Sequence, residues 1–184
     1  MMKHAIADPP YLGRAHRWYG DSPRKYTGND YRGATASDIH PDAHVWDSPA
    51  AHEALVARLV RDFDGWAVAM HAESLSHYLR WVPSGCRVAI WHDPRRIPSG
   101  HRIRRAWEPV VVYVPEGRRD RTSGPAMTDL LSAIAPQTFV GAKPAAWTRW
   151  VLDMLGYEPE TDTVDDLFHG SGAVANEIAQ GVLL

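Results

Sequence analysis

An α/β fold with parallel strands at the centre of its sheet is predicted by three observations. Apolar runs of strand length alternate with stretches of helical periodicity along the chain. The last such unit, from Val164 to Gln180, reads as a strand, a glycine turn and a helix in that order. With 184 residues the chain can bury one sizeable core and is short for two. A single domain spanning residues 1–184 is therefore expected.

Taken in order, the elements justify themselves locally. Ala5-Ile6-Ala7 is a short apolar strand, stopped by Asp8-Pro9-Pro10-Tyr11 because neither proline can donate to a ladder. Residues 12 to 48 lack periodicity and are rich in Gly, Arg, Tyr, His and Asp, which predicts a long loop with at most a short helix. Ser48-Pro49 reads as an N-cap followed by proline at the first helical position, and Leu55, Leu59, Val60 and Phe63 continue a helix over 49–63. Gly65 stops it, and Trp66 to Met70 is a buried strand. Leu75, Tyr78, Leu79 and Trp81 recur at helical spacing before Pro83-Ser84-Gly85, and residues 87–91 form the next strand. Residues 92–107 carry prolines, a glycine and arginines and predict an exposed loop; residues 109–114 are β-rich. A second Arg- and Gly-bearing loop covers 115–125, with a weak helical patch over 127–134. Trp147, Trp150, Val151, Met154 and Leu155 mark the core side of a helix opened by Lys143-Pro144 and stopped by Gly156. Residues 164–168 predict the last strand, 169–172 a tight turn and 173–180 the last helix.

Composition narrows the class. Hydrophobic content of 45% and charged content of 23% are ordinary for a globular protein, whereas eight tryptophans are many for this length. The single cysteine, Cys86, excludes an internal disulfide and a cysteine-rich zinc site and fits a reducing compartment. No apolar run reaches spanning length and no signal peptide precedes the first strand, so a cytoplasmic protein with no membrane partner is expected. His40 and His44 lack further ligands at regular spacing, so no metal site is expected. The net charge of -2 hides eight arginines between Arg95 and Arg121, set against Glu108, Glu116 and Asp120. Such a stretch is either a solvated face or a surface for a phosphate backbone.

Two motifs carry chemistry. Asp8 offers a carboxylate acceptor for an exocyclic amino group, Pro9 a carbonyl with no N–H, and Tyr11 a flat ring; together they would make a slot for a flipped base. The same tetrapeptide also serves as a plain turn that ends a strand. In Asp166-Leu167-Phe168-His169-Gly170-Ser171-Gly172 the glycines would let a ligand approach the backbone and the helix N-terminus would offer free N–H groups.

The second motif resembles the S-adenosylmethionine site of DNA amino-methyltransferases, and Asp8-Pro9-Pro10-Tyr11 resembles their catalytic tetrapeptide. Gly141-Ala142-Lys143-Pro144 is similar to the segment that closes over the methionine end of the cofactor. The order catalytic, Lys-Pro, glycine is similar to the permuted beta class, with the nearest likeness to small methylases of actinobacterial phages. The resemblance implies a Rossmann-like methyltransferase sheet, mostly parallel with one antiparallel strand, circularly permuted, with helices on both faces. It implies transfer of a methyl group from S-adenosylmethionine to an exocyclic amine of a flipped base in DNA, adenine N6 before cytosine N4. Asp8 and the Pro9 carbonyl would take the amino hydrogens, Pro10 would keep the slot rigid and Tyr11 would stack on the base. Asp166 would meet the methionine ammonium, Phe168 would pack nearby, Gly170, Ser171 and Gly172 would admit the cofactor, and Lys143, with Pro144, would meet its carboxylate. No covalent nucleophile is implied, since Cys86 lacks a Pro-Cys context. Arg14, Arg17, Arg95, Arg96, Arg102, Arg104, Arg118 and Arg119 are the expected contacts to nucleic acid.

Two departures from the family pattern are expected to matter. The acid that would hold the ribose hydroxyls, roughly 20 positions after the glycine turn, would fall beyond Leu184. A short adenosine pocket is expected, or a homo-oligomer in which another subunit completes it. The target-recognition insertion, around 115–136, is minimal, so recognition should be short or relaxed. Alternatives left open are the same chemistry on RNA, and a catalytically silent methyltransferase-like module that binds nucleic acid or protein.

Overall fold

The computed structural model describes residues 1–19, 42–95, 102–103, 106–120, 127–136, 141–169 and 172–181. It contains strands β1 (Lys3–Ala7), β2 (Gly65–Ala69), β3 (Arg87–His92), β4 (Trp107–Tyr113), β5 (Leu130–Ser132) and β6 (Thr163–Asp166). The helices are α1 (Ala15–Tyr19), α2 (Pro49–Asp62), α3 (Leu75–Trp81), α4 (Glu116–Arg119), α5 (Ala145–Leu155) and α6 (Ala173–Gly181), with 3-10 turns at Ala43–Asp47 and Ala72–Ser74. The strands form one sheet in the order β5-β3-β4-β2-β1-β6. Only β4 runs against its neighbours; β1 is parallel to β2 and β6, and β3 to β5. This is the Rossmann-like sheet, mostly parallel with one antiparallel strand, that the sequence predicts.

Strand alternation sorts the core into two layers. Ile6, Ala67, Ala69, Val110 and Val112 face α5 and α6, packing on Trp147, Trp150, Val151, Leu155 and Val174. Ala5, Ala7, Trp66, Val68 and Val111 face the other way, onto Leu55, Val56 and Leu59 of α2 and Tyr78 of α3. Helices therefore cover both faces. Gly156 ends α5 in the left-handed region at φ 66, and the Tyr157 N–H closes onto the Leu152 carbonyl at 3.1 Å. Among the described residues, no helix is long and apolar enough to cross a membrane.

Two local expectations are corrected. The patch over 127–134 is not helical: its centre is β5, paired in parallel with Ile90, Trp91 and His92. Pairing wins over weak periodicity because two indole N–H groups fix the backbone there, Trp150 donating to Thr128 O and Trp91 to Ala133 O, both at 2.9 Å. The loop after β4 begins with the short helix α4, where Arg118 N–H bonds Pro115 O at 2.8 Å.

The antiparallel course of β4 decides what lies at each edge of the sheet. Its first residues stand beside the carboxyl ends of β2 and β3, where Val110 pairs with Ala69 and Trp107 with His92. Its last residues stand beside the amino ends, where Tyr113 pairs with Trp66. At that amino edge Gly65 is packed so tightly that a Cβ would stand 2.7 Å from Pro115 Cδ and 2.8 Å from His4 Nδ1. Gly65→Ala is expected to destabilise the fold by about 1–3 kcal/mol through overpacking, measured by denaturant unfolding.

Candidate active site

The site is built where β1 and β6 end side by side. The β1–β6 ladder stops at the pair Ile6 and Asp166, and Leu167 N–H adds a bond to Ile6 O at 3.0 Å. The tetrapeptide and the glycine motif thus leave the sheet from adjacent carboxyl ends, the edge where open α/β sheets bind ligands. After Tyr11 the chain turns through an Arg14 N–H to Tyr11 O bond of 2.8 Å. Asp47 then holds the start of α1, accepting from the Ala15 and His16 amides at 2.9 Å each.

Asp8 is the centre of a charged cluster. Its Oδ2 accepts from Lys143 Nζ at 2.7 Å, while its Oδ1 is buried with no hydrogen-bond partner among the described residues. Lys143 Nζ also bonds Tyr11 Oη at 3.0 Å and Gly141 O at 3.2 Å, and lies 3.7 Å from Glu108 Oε2. Tyr11 Oη donates to the same Glu108 Oε2 at 2.8 Å. The ammonium is enclosed by aromatic rings, 5.3 Å from the centroid of Tyr11, 5.6 Å from Trp91 and 5.7 Å from Trp147. Burial raises the Asp8 carboxyl above its ordinary range, Lys143 pulls it back down, and Glu108 adds to the rise. Around the cluster stand Tyr78 of α3, whose hydroxyl is raised by burial and by Asp8, and the His71 ring, 6.5 Å from that of Tyr11.

On the β6 side, Asp166 is half-buried. Burial raises its carboxyl, opposed by the Phe168 N–H that its Oδ1 accepts at 3.1 Å and by His169. Phe168 packs edge-on against Trp46, centroids 4.9 Å apart. Gly172 takes φ 70 with nothing from the other described residues within 4 Å of where a Cβ would stand, and its N–H bonds His169 O at 2.6 Å. Pro144 caps α5 through its carbonyl, which accepts the Trp147 N–H at 2.8 Å.

The expected site residues divide by position. Asp8, Pro9, Pro10 and Tyr11 come together with Lys143, and Asp166, Phe168 and Gly172 lie on the neighbouring strand end. Gly170, Ser171, Arg96, Arg104 and the side chain of Arg17 lie outside the described residues. Lys143, expected to meet the cofactor carboxylate, directs its three ammonium donors to Asp8, Tyr11 and Gly141 here. Tyr11, expected to stack on the base, is 6% exposed and its hydroxyl bonds Glu108.

The arginines are sorted by topology. Arg95 and Arg102 lie in the connection from β3 to β4, whose strand ends are at the same edge as Asp8, and both are exposed. Arg95 also bonds the Ala135 carbonyl. Arg14 is paired with Glu73 at 2.9 Å. Arg118 and Arg119 follow the end of β4 and so belong to the opposite edge, away from Asp8. Arg118 is bonded to Glu158 and, at 3.0 Å, to Asp162. Arg119 donates to Val114 O at 3.0 Å and lies over the Tyr113 ring. The reversed direction of β4 thus sets these two expected nucleic-acid contacts at the edge opposite Asp8.

The same reversal supplies what sequence reading missed. Glu108 is 3% exposed and meets Lys143 and Tyr11 because an antiparallel strand begins where parallel strands end. A carboxylate inside the apolar run from Trp107 to Val114 was the available signal. Cys86 is removed from nucleophilic chemistry by burial, which pushes its thiol up to about 11.

No family model matches the chain, and no curated protein matches it. Among solved structures it is similar to the crystal structure of an M1.HpyAVI–SAM complex, with a TM-score of 0.51 and 14% identity over 97% of this chain and 78% of that one. At that identity the likeness bears on the fold, and it places the chain among Rossmann-like α/β sheets.

Proposed function

We propose that the protein transfers a methyl group from S-adenosylmethionine to an exocyclic amine of a base in DNA, adenine N6 before cytosine N4. The observation that carries this reading is the buried, unpartnered Asp8 Oδ1 at the end of β1, beside the glycine turn that follows β6. It is an acceptor for which the described residues supply no donor. The likeness to a fold solved with SAM bound adds support.

The residues present fit that cofactor. Gly172 leaves open space in a left-handed turn, Asp166 offers a carboxylate to an ammonium, and Phe168 an apolar wall. When bound, S-adenosylmethionine supplies an electrophilic methyl group. The chain's own task is to prepare the amine, whose lone pair is delocalised into the base. Asp8 Oδ1 accepts one amino hydrogen and favours the pyramidal nitrogen, and the Pro9 carbonyl takes the other. Lys143 opposes the rise that burial imposes on the Asp8 carboxyl and fixes which oxygen faces the substrate. Trp91, Trp147 and Tyr11, all buried, keep water from the pair. Among the described residues of the β3–β4 connection, Arg95 and Arg102 stand at this edge for the phosphate backbone.

Incubation with methyl-labelled cofactor and either DNA or RNA, followed by digestion to nucleosides, tests the reading. Label in N6-methyladenine from DNA is expected. Label in RNA alone would reassign the substrate, and no label in either would leave a silent binding module.

A further inference from the structure

Trp91, Trp147 and Trp150 share one core layer. Two of them have their indole N–H satisfied by backbone, Trp91 donating to Ala133 O and Trp150 to Thr128 O, both at 2.9 Å. Trp147 differs: it is 2% exposed, and among the described residues its Nε1 is buried with no hydrogen-bond partner. Packing accounts for the ring but not for a buried donor left unmade, which costs more than an ordinary hydrogen bond contributes. The ring centroid stands 5.7 Å from Lys143 Nζ, the ammonium that Asp8 Oδ2 holds at 2.7 Å. Lys143 has donors only and cannot satisfy an N–H. Asp8 Oδ1, beside the same ammonium, is an acceptor in the same condition. The surroundings of one ammonium thus hold an unused donor and an unused acceptor.

We infer that the Trp147 indole N–H donates to the ring nitrogen next to the target amine, so that Asp8 and Trp147 together read the N–C=N edge of the base. This rests on the transfer reading above. Adenine carries N1 beside its N6 amine and cytosine N3 beside its N4 amine, a donor and an acceptor side by side on the Watson–Crick edge. One ligand therefore satisfies both groups, the amine meeting Asp8 Oδ1 and the ring nitrogen meeting Trp147. A cofactor carboxylate offers acceptors only and would leave Asp8 Oδ1 unexplained. The Asp8 side chain is 25% exposed, which leaves an approach for the base edge on that side. Two bonds also fix the direction of the amine, where one would let the base rotate about it. Guanine, whose N1 bears a hydrogen beside its amine, sets donor against donor and is rejected.

Replacing single atoms of the substrate tests this. A synthetic duplex carrying the site that the wild-type protein methylates is made with adenine, 1-deazaadenine or 7-deazaadenine at the target; only the first analogue lacks the acceptor beside the amine. Wild-type kcat/KM is expected to fall about tenfold or more on 1-deazaadenine and far less on 7-deazaadenine. Trp147→Phe keeps an aromatic ring in the core and removes the N–H. Its penalty for 1-deazaadenine should be about tenfold smaller than the wild-type penalty, because any intrinsic change in the amine is common to both proteins. If the smaller ring prevents folding, 3-benzothienylalanine at position 147 keeps the tryptophan shape with sulfur in place of the N–H. If label appears in N4-methylcytosine, 3-deazacytosine serves the same comparison. Equal penalties in wild type and variant, or a loss in the variant that lies wholly in cofactor affinity measured by calorimetry, would overturn the assignment. Absence of transfer by the wild-type protein would instead refute the reading on which it rests.

Discussion

Asp8→Ala is expected to reduce methyl transfer by about a thousandfold or more, while cofactor binding measured by calorimetry stays within a few-fold of wild type. The size follows from removing both the acceptor for the target amine and the anion nearest the developing charge, effects each worth roughly a hundredfold or more. Asp8→Asn is expected to be nearly as damaging, for a reason specific to this chain. Lys143 Nζ sits 2.7 Å from Oδ2 and has no acceptor of its own, so the amide oxygen must turn toward it. That leaves an NH2 donor at the Oδ1 position, where the substrate also brings a donor. A substantial rate for Asp8→Asn would mean that Lys143 does not fix the orientation of residue 8.

The second large effect concerns stability and lies at the opposite edge of the sheet. Asp162 has a fully buried carboxylate that accepts from Met2 N–H at 2.9 Å, Glu158 N–H at 3.0 Å and Thr161 Oγ1 at 3.1 Å, and pairs with Arg118. Burial alone would raise its pKa; the two amides, the hydroxyl and the guanidinium outweigh that and bring it down to about 2. Asp162→Ala is expected to cost about 2–4 kcal/mol, since it leaves the Met2 and Glu158 amides without their acceptor and Arg118 with Glu158 alone. A loss below about 1 kcal/mol in denaturant unfolding would contradict the role. The pH dependence has a definite sign. A carboxyl depressed in the folded state contributes stability above its unfolded value that is lost as pH falls toward about 2. His4 and His52 are both lowered, mainly by burial, so they are held neutral and lose stability as pH falls below the ordinary histidine range. His52 shows why: its two ring nitrogens are engaged by Tyr78 Oη at 2.6 Å and Trp46 O at 2.7 Å. Asp8, raised by burial, acts in the opposite sense. These groups predict stability declining first below about pH 6.5 and again on the way to the Asp162 value.

Most of the layer plan was legible from local pattern. Proline at the start of α2, glycine at the end of α5 and the β-branched run of β4 act through backbone geometry within a few residues, so sequence reading places them well. The proximity of the tetrapeptide and the glycine motif was legible only as motif order; its cause is the parallel pairing of first and last strands. What escaped was set by long-range direction. Whether β4 runs up or down decides that Glu108 joins the site and Arg118 leaves it, and nothing in the residues of β4 encodes that direction. Lys143 was expected on the cofactor side because Lys-Pro was read as a motif, whereas its donors are used across 135 positions of sequence by Asp8.

The central claim is that the carboxyl ends of β1 and β6 form one site, with the amine prepared by Asp8 and the methyl donor held at the glycine turn. A crystal structure with S-adenosylmethionine bound tests it most directly. The account predicts the methionine moiety beside Asp166 and Gly172, its sulfonium methyl facing the open side of Asp8 Oδ1, and the Lys143–Asp8 bond intact. A cofactor bound away from that edge, or one that draws Lys143 off Asp8 onto its own carboxylate, would contradict it.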